Sequence, residues 1–146
     1  MKFEKSRRFK YDPDTAWRAL QMASRLDVEP GSRVEIISDS EWKAYAKGLL
    51  GRDFSCTTYR AVFDQENKSV VITGERSGKT KADTIKLTIK DSDEESVLLH
   101  LEMEIGFGGN PIAKVIGKMM KSQMKDVITE GVFDSFNDLC REAEYM

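Results

Sequence analysis

The sequence has few of the residues on which metal sites, disulfide scaffolds and nucleophilic catalysis depend. Its 146 residues include two cysteines, one histidine and three prolines. A metal site made of several histidines is therefore excluded, and so is a disulfide-rich scaffold. Cys56 and Cys140 lie far apart in the chain, and we expect two reduced thiols rather than a disulfide.

Long apolar runs and secretion signals are also missing. No apolar stretch approaches the ~20 residues that a membrane-spanning helix needs. The first residues, MKFEKSRRFKYD, lack the apolar core of a secretory signal peptide. We therefore expect a cytoplasmic protein without an integral membrane segment.

The composition is that of an ordinary globular domain. Apolar residues make up 40% of the chain and charged residues 33%. The length fits one hydrophobic core, so residues 1–146 are predicted to form a single domain. The net charge of −2 argues against a nucleic-acid partner, because proteins that bind nucleic acid are usually basic.

The N-terminal region predicts a strand followed by a helix. Polar and apolar residues alternate over residues 2–11, and Arg7 falls on the apolar face, where it needs a partner. Asp12 can cap the free N–H groups of a helix, and Pro13 suits the first helical position. We predict that this helix runs to about Leu26.

The middle of the chain predicts an antiparallel sheet. Its segments alternate apolar and polar residues, and short turns join them, so that neighbours in sequence pair with each other. One face of the sheet is therefore apolar and the other is wet. The predicted strands are residues 33–38, 41–49, 54–63, 69–75, 83–90 and 96–105.

Helical periodicity covers residues 110–145, but its apolar stripe changes side. The stripe of the first half contains Ile112 and Met119, whereas Phe133 lies on the opposite side in the second half. A straight helix cannot press both stripes against one surface. We predict a kink, bulge or break near Thr129-Glu130-Gly131; the alternative is a straight helix whose second half faces another element or another subunit.

The stretch GFGGNPIAKVIGKMM, residues 106–120, resembles a phosphate-binding loop only at first sight. A dinucleotide fingerprint would need a glycine at Pro111, and the Lys-Ser/Thr of a Walker loop is missing. We interpret the glycines as a turn, Asn110 as a helix cap and Pro111 as the first helical residue. No cofactor is expected.

His100 is predicted to point away from the apolar face of its strand, beside Glu102 and Glu104. We interpret it as an exposed histidine among carboxylates and expect no metal site. A weak metal contact or a catalytic base is the alternative.

The order of elements resembles the helix-grip fold of the START and polyketide-cyclase superfamily, which includes the birch-pollen-allergen-like proteins. The resemblance spans the chain and is carried by the strand FEKSRRFKYD running into PDTAWRAL, and by GFGGNPIAKVIGKMM opening the last helix. It implies an α+β fold in which a curved antiparallel sheet of about six or seven strands wraps a long C-terminal helix. A short helix follows the first strand, and the second helix expected near residues 24–32 is short or absent.

The resemblance also implies an apolar cavity between the sheet and the last helix. Members of this superfamily bind or transport lipids, steroids and other apolar molecules, and some are enzymes. Arg7 is a candidate polar anchor in such a cavity, and a filled core is the alternative. The predicted pocket residues are Tyr59, Phe63, Leu87, Leu99, Leu101, Met103, Ile112, Ile116, Met119, Met120 and Met124.

Three functions are compatible with this pattern. The first is binding of a small hydrophobic ligand, lipid-like or polyketide-like. The second is an enzyme of the same fold, such as a cyclase or hydrolase, which needs polar side chains that converge inside the cavity. The third is an interaction module with a filled core and an exposed apolar patch at Phe133, Phe136 and Leu139, through which a homodimer would form.

Overall fold

The structure, a computed structural model, describes residues 2–47, 53–76, 82–105 and 111–145. Side chains are described throughout these ranges except at residues 47, 53–55, 111–122 and 124. The elements are β1 (Lys2–Phe9), α1 (Pro13–Leu20), β2 (Arg33–Ser38), β3 (Glu41–Lys47), β4 (Asp53–Asp64), β5 (Ser69–Arg76), β6 (Asp83–Lys90), β7 (Val97–Glu104) and α2 (Pro111–Ala143).

The seven strands form one antiparallel sheet in the order β1-β7-β6-β5-β4-β3-β2. Strands β2 to β7 follow each other as neighbours, which confirms the prediction from their short connections. The first strand then pairs with the last, from Lys2 opposite Glu104 to Phe9 opposite Val97. The α+β fold class and the predicted element order are confirmed.

One face of the sheet, called here the inner face, is buried against the helices. A single row of it crosses five strands in register through Phe3, Met103, Ile85, Ile72 and Ala61. All five side chains are buried. The opposite, outer face carries the polar residues of the alternating pattern, as expected for a sheet that is covered on one side.

Helix α1 begins as the sequence predicts but ends earlier. Asp12 accepts a hydrogen bond from the Thr15 backbone N–H at 3.2 Å, and Pro13 is the first helical residue. The helix ends at Leu20 rather than near Leu26, and a 3₁₀ turn at Ala23–Arg25 follows. The 3₁₀ turn and the extended Leu26 that follows it change the direction of the chain, so that the Leu26 side chain packs into the core.

Helix α2 is one continuous helix through Thr129, Glu130 and Gly131, where a kink, bulge or break is predicted. No break interrupts the helix there, and its second half packs against other elements of the same chain, as the alternative prediction states. Gly131 serves close packing instead of a break. A Cβ atom there would lie 2.9 Å from Cγ of Pro30 and 3.1 Å from the carbonyl oxygen of Asp27.

The apolar patch predicted on the second half of α2 is not exposed. Phe133 and Phe136 have no exposed surface, and Leu139 is 3% exposed. The Phe9 ring of β1 lies 4.9 Å from the Phe136 ring and 6.0 Å from that of Phe133. Because β1 and α1 already cover this stripe, it is not the exposed patch through which the homodimer is predicted to form.

The Asp12 cap provides a test of the α1 assignment. Replacing Asp12 with Ala should lower the free energy of unfolding by about 1 kcal/mol, because Thr15 loses its acceptor. Hydrogen bonding by Thr15 lowers the pKa of Asp12. This contribution is therefore present above the ordinary carboxyl pKa and is lost as the pH falls through the lowered folded value.

Urea unfolding at neutral and acidic pH measures both effects. Asp14→Ala is the matched control, because Asp14 lies in the same helical turn but is not the cap. The helix-cap assignment would be contradicted if Asp12→Ala lowered the free energy of unfolding no more than Asp14→Ala does. It would also be contradicted if the difference between the two variants stayed the same at acidic pH.

The two cysteines are both free thiols, as predicted, but they differ in accessibility. Cys140 is buried in the core, and burial, helped by nearby Glu144 and Asp12, raises its pKa to about 12. Cys56 is partly exposed.

A disulfide reagent at neutral pH should therefore modify Cys56 quickly and Cys140 only after unfolding. Rapid labelling of a Cys56→Ser variant in its folded state would contradict this assignment.

Candidate functional site

The strand residues predicted to line a pocket form an apolar wall on the inner face. Leu87, Leu99 and Leu101 have no exposed surface, and Met103 is 2% exposed. Leu87 pairs with Leu101 across β6 and β7, and Met103 and Leu99 flank Leu101 on the same strand face. These four side chains face the interior, and their place in a ligand pocket stays a prediction.

The two aromatic residues predicted on β4 lie at different ends of the interior. Tyr59 is 3% exposed and stacks on Trp42 with ring centroids 5.5 Å apart. Phe63 is half-buried and meets the edge of Trp17 from α1 at 6.4 Å. Phe63 therefore lies beneath α1, whereas Tyr59 lies toward the opposite end of the sheet.

The remaining predicted pocket residues lie in the first half of α2. Its helical backbone starts at Pro111, as predicted. The glycine stretch before it, residues 106–110, lies outside the described residues, and so do the side chains that would form the facing wall. These are Ile112, Ile116, Met119, Met120 and Met124. Their contribution to a pocket stays a prediction.

Polar side chains converge at one end of the inner face. The Tyr59 hydroxyl donates a hydrogen bond to Oε1 of Glu29 at 3.0 Å, and Nη2 of Arg76 donates to the same oxygen at 3.2 Å. The Ser32 hydroxyl donates to the other carboxylate oxygen of Glu29. Nε of Arg76 donates to the Thr57 hydroxyl oxygen at 2.9 Å. Glu29, Ser32, Thr57, Tyr59 and Arg76 are called here the polar cluster.

The sheet register explains how three members of the cluster meet. Thr57 lies opposite Arg76, and Tyr59 lies opposite Gly74, so all four positions share the inner face of β4 and β5. Gly74 leaves the space that the Tyr59 ring occupies. A Cβ atom at Gly74 would lie 2.6 Å from Cε1 of Tyr59, which is closer than atoms approach in folded proteins.

A loop from the helical side brings Glu29 to the sheet. This loop joins the 3₁₀ turn to β2, and Gly31 turns it with a φ of 85°, a conformation that favours glycine. The backbone N–H of Asp27 donates to the Ser135 hydroxyl of α2 at 2.9 Å. Pro30 packs on Gly131 of the same helix. Glu29 therefore connects this loop, which packs on α2, with the polar side chains of the sheet.

The polar cluster is largely shielded from solvent. The Glu29 side chain is 19% exposed and that of Arg76 is 34% exposed. Burial, followed by the charge of Glu29, raises the pKa of Tyr59 far above its usual range, so the phenol stays a hydrogen-bond donor. Burial and the charge of Glu29 also raise the pKa of Asp27.

The charge of Asp83 also acts on the cluster. Asp83 is 6% exposed, lies opposite Gly74 and contributes its charge to the Tyr59 environment. Among the described residues, the carboxylates of Asp27, Glu29 and Asp83 and the guanidinium of Arg76 lie at this end of the interior.

Arg7, the predicted polar anchor, is not part of the polar cluster. It lies on β1, four strands away from Tyr59 on β4, which corresponds to ~19 Å. Its Nη1 lies 3.3 Å from Oδ1 of Asp134, and its guanidinium lies 4.8 Å from the centroid of the Phe133 ring. Arg60 of β4 points outward instead, and its Nε lies 3.4 Å from Oε1 of Glu41.

Sequence reasoning found Tyr59 but missed its partners. Arg76 follows the inner-face alternation of β5, yet the segment RSGK that it opens reads as a turn. Thr57 precedes Tyr59 by two residues and was detectable from the same alternation. Glu29 lies in a turn, and no periodic signal connects it with Tyr59.

Solved structures of low sequence identity share this fold. An aromatase/cyclase from Streptomyces sp. R1128 is 14% identical, with a TM-score of 0.62 over 99% of this chain and 93% of its own. A norcoclaurine synthase point mutant from Thalictrum flavum, solved with a transition-state analogue, is 13% identical, with a TM-score of 0.61 over 99% and 96%.

A START superfamily protein from Mycobacterium smegmatis is 12% identical, with a TM-score of 0.52 over 91% of this chain and 97% of its own. The sequence matches no protein-family model and no curated relative. The chain shares the helix-grip fold of these structures, which is the fold that the sequence resemblance implies. No helix among the described residues has both the length and the apolar character needed to cross a membrane.

The packing of Tyr59 against Gly74 gives a direct test of the cluster. Replacing Gly74 with Ala should displace the Tyr59 ring from Trp42 and from Glu29, at a cost of ~1–3 kcal/mol of unfolding free energy. Urea unfolding and near-ultraviolet circular dichroism measure the two consequences. Thr73→Ala, next in sequence on the outer face, is the control, and equal losses in both variants would contradict the packing.

Proposed function

We propose that this protein binds a small apolar or amphipathic molecule, lipid-like or polyketide-like, between the inner face of the sheet and α2. The observation that carries the proposal is an apolar wall that ends at a shielded polar cluster. Binding sites for small molecules typically combine a mostly apolar lining with a few polar groups that fix the orientation of the ligand.

The two parts of the site suggest how the ligand lies. Its apolar body packs on the wall formed by Leu87, Leu99, Leu101 and Met103, and the methionine-rich stripe predicted on α2 covers it. Methionine side chains adapt to irregular shapes, which suits this facing wall. The polar end of the ligand reaches the polar cluster.

The energetics of the polar cluster support a role beyond stability. Buried ionic groups lose hydration, and well-packed apolar residues at the same positions are often as stable or more stable. Glu29 and Arg76 therefore add little net stability to the fold. Their convergence with Tyr59 supplies a fixed set of hydrogen-bond donors and acceptors for a bound molecule.

The charge of the cluster favours one kind of polar end. The Glu29 carboxylate accepts hydrogen bonds and donates none, so a head group that donates hydrogen bonds or carries a positive charge is preferred over a carboxylate. The solved structures of the same fold support small-molecule chemistry in general, since one is an aromatase/cyclase and another is a synthase in complex with a transition-state analogue.

An enzyme of the same fold is the second candidate, and the converging polar side chains favour it. In an enzyme, the Glu29 carboxylate would act as the proton acceptor, oriented by hydrogen bonds from Tyr59 and Arg76. In an enzyme, Glu29→Gln would keep ligand affinity within a few fold and abolish turnover. In a carrier it would change affinity alone.

The wider assignment follows from the same proposal. The proposed ligand binds inside one helix-grip unit, a single domain over residues 1–146. The proposal also includes a cytoplasmic location and a site that needs no cofactor. Ile112, Ile116, Met119, Met120 and Met124 belong to the proposed site as its helical wall.

Displacement of a neutral fluorescent probe tests both the site and its polarity. N-phenyl-1-naphthylamine should gain fluorescence on binding, and dodecylamine should displace it at lower concentration than dodecanoate. Glu29→Gln should reduce that preference, because it removes one negative charge. Leu101→Phe should weaken binding of the probe, because the larger ring fills space at the apolar wall.

Glu95→Gln is the matched control, since Glu95 is an exposed carboxylate far from the cluster in the β6–β7 turn. Circular dichroism verifies that each variant is folded. Probe binding unaffected by Leu101→Phe, or equal displacement by the amine and the acid in wild type, would contradict the proposed site or its polarity, respectively.

A further inference from the structure

The outer face of the sheet holds the single histidine of the chain between two glutamates. The side chains of Glu4, His100 and Glu102 each offer one ligand atom, and these three atoms lie within 4.8 Å of one another. We propose that these three side chains bind a divalent transition metal of the Zn²⁺ class. The site lies on the opposite side of the sheet from the polar cluster, so it does not depend on the proposed ligand-binding function.

Strand pairing brings the three side chains together. Glu4 lies directly opposite Glu102, and Ser6 lies directly opposite His100, all on the outer face of β1 and β7. Two like charges placed opposite each other on antiparallel strands destabilise a sheet. Lys86 lies opposite Glu102 on its other side and offsets part of this repulsion, and a cation between Glu4 and Glu102 would add two favourable interactions.

The ring of His100 is oriented for metal binding. Its Nδ1 lies 2.6 Å from the Ser6 hydroxyl oxygen, and its Nε2 lies 4.0 Å from Oε2 of Glu4. When Nδ1 carries the proton and donates it to Ser6, the lone pair of Nε2 points toward the carboxylate side. Metal-binding histidines commonly fix their second nitrogen by such a hydrogen bond.

The ligand set selects the class of metal. Imidazole nitrogen binds Zn²⁺, Cu²⁺ and Ni²⁺ well, whereas Mg²⁺ and Ca²⁺ prefer oxygen ligands alone. Ligand atoms around tetrahedral Zn²⁺ lie about 3.3 Å apart, given bonds of about 2.0–2.2 Å. The Glu4 side chain is 64% exposed, so it is free to close the remaining distance, while the His100 side chain is 17% exposed and held in place.

The two glutamates of the site border open space. A surface depression of about 610 Å³ is lined by Glu4 and Glu102, though not by His100, and Lys2 and Lys86 also line it. Three protein ligands with one open position is the arrangement in which zinc holds a water molecule or an exchangeable ligand. The two lysines would favour a small anion there.

The single histidine makes the site directly observable. Chelator-treated, ¹⁵N-labelled protein is titrated with ZnCl₂ while the imidazole nitrogen resonances are recorded by NMR, with calorimetry in parallel. We expect saturation at one equivalent and a shift of Nε2, because His100 is the only imidazole present. MgCl₂ and CaCl₂ should leave Nε2 unshifted.

Variants identify the ligands. Glu4→Gln and Glu102→Gln should each weaken Zn²⁺ binding at least tenfold, and His100→Asn should abolish it at the same site. Glu66→Gln, an exposed carboxylate in the β4–β5 turn, is the control and should bind as wild type. Cys56→Ser should also retain binding.

Three outcomes would overturn the proposal. The first is an Nε2 resonance that Zn²⁺ does not shift, and the second is an equal shift with Mg²⁺. The third is calorimetric binding that survives in both glutamine variants but is lost in Cys56→Ser. The last result would assign the metal to a thiol rather than to the outer face. Circular dichroism of each variant confirms that a lost signal is not a lost fold.

Discussion

The packing of α2 on the first strand and on the loop after α1 is the constraint on which the other features depend. Phe133 and Phe136 fill the space next to Phe9, which fixes the height of the helix above the sheet. The absence of a side chain at Gly131 then allows Pro30 to approach the helix. This contact holds the loop so that Glu29 reaches the sheet instead of solvent.

The interior that results has two chemically different ends. The wall on β6 and β7 consists of Leu87, Leu99, Leu101 and Met103. The other end holds the polar groups, Tyr59 and Arg76 on β4 and β5 and Asp83 on β6. Building this end removes much of the water around Glu29 and Arg76, and that desolvation cost offsets their mutual attraction. The polar end of the proposed ligand would lie here, where the Tyr59 phenol, whose pKa is raised by burial, keeps its proton and donates a hydrogen bond to Glu29.

Local signals in the sequence predicted the elements, but long-range contacts decided the sites. Alternation predicted all seven strands, and Asp12-Pro13 predicted the start of α1, because these patterns depend on neighbouring residues. The end of α1, the burial of Phe136 and the role of Gly131 depend on elements far away in the chain. A loop brings Glu29 to Tyr59, and the pairing of the first and last strands brings Glu4 to His100. The periodicity of the sequence predicts neither contact.

Methyl NMR of the leucine, valine and methionine side chains tests the central claim most directly. Addition of dodecylamine should shift the methyl resonances of Leu87, Leu99, Leu101 and Met103, which lie on the inner face. Val62 and Val71, exposed on the outer face, should not move. Shifts confined to Val62 and Val71, or no shifts at saturating amine, would contradict a binding site between the sheet and α2.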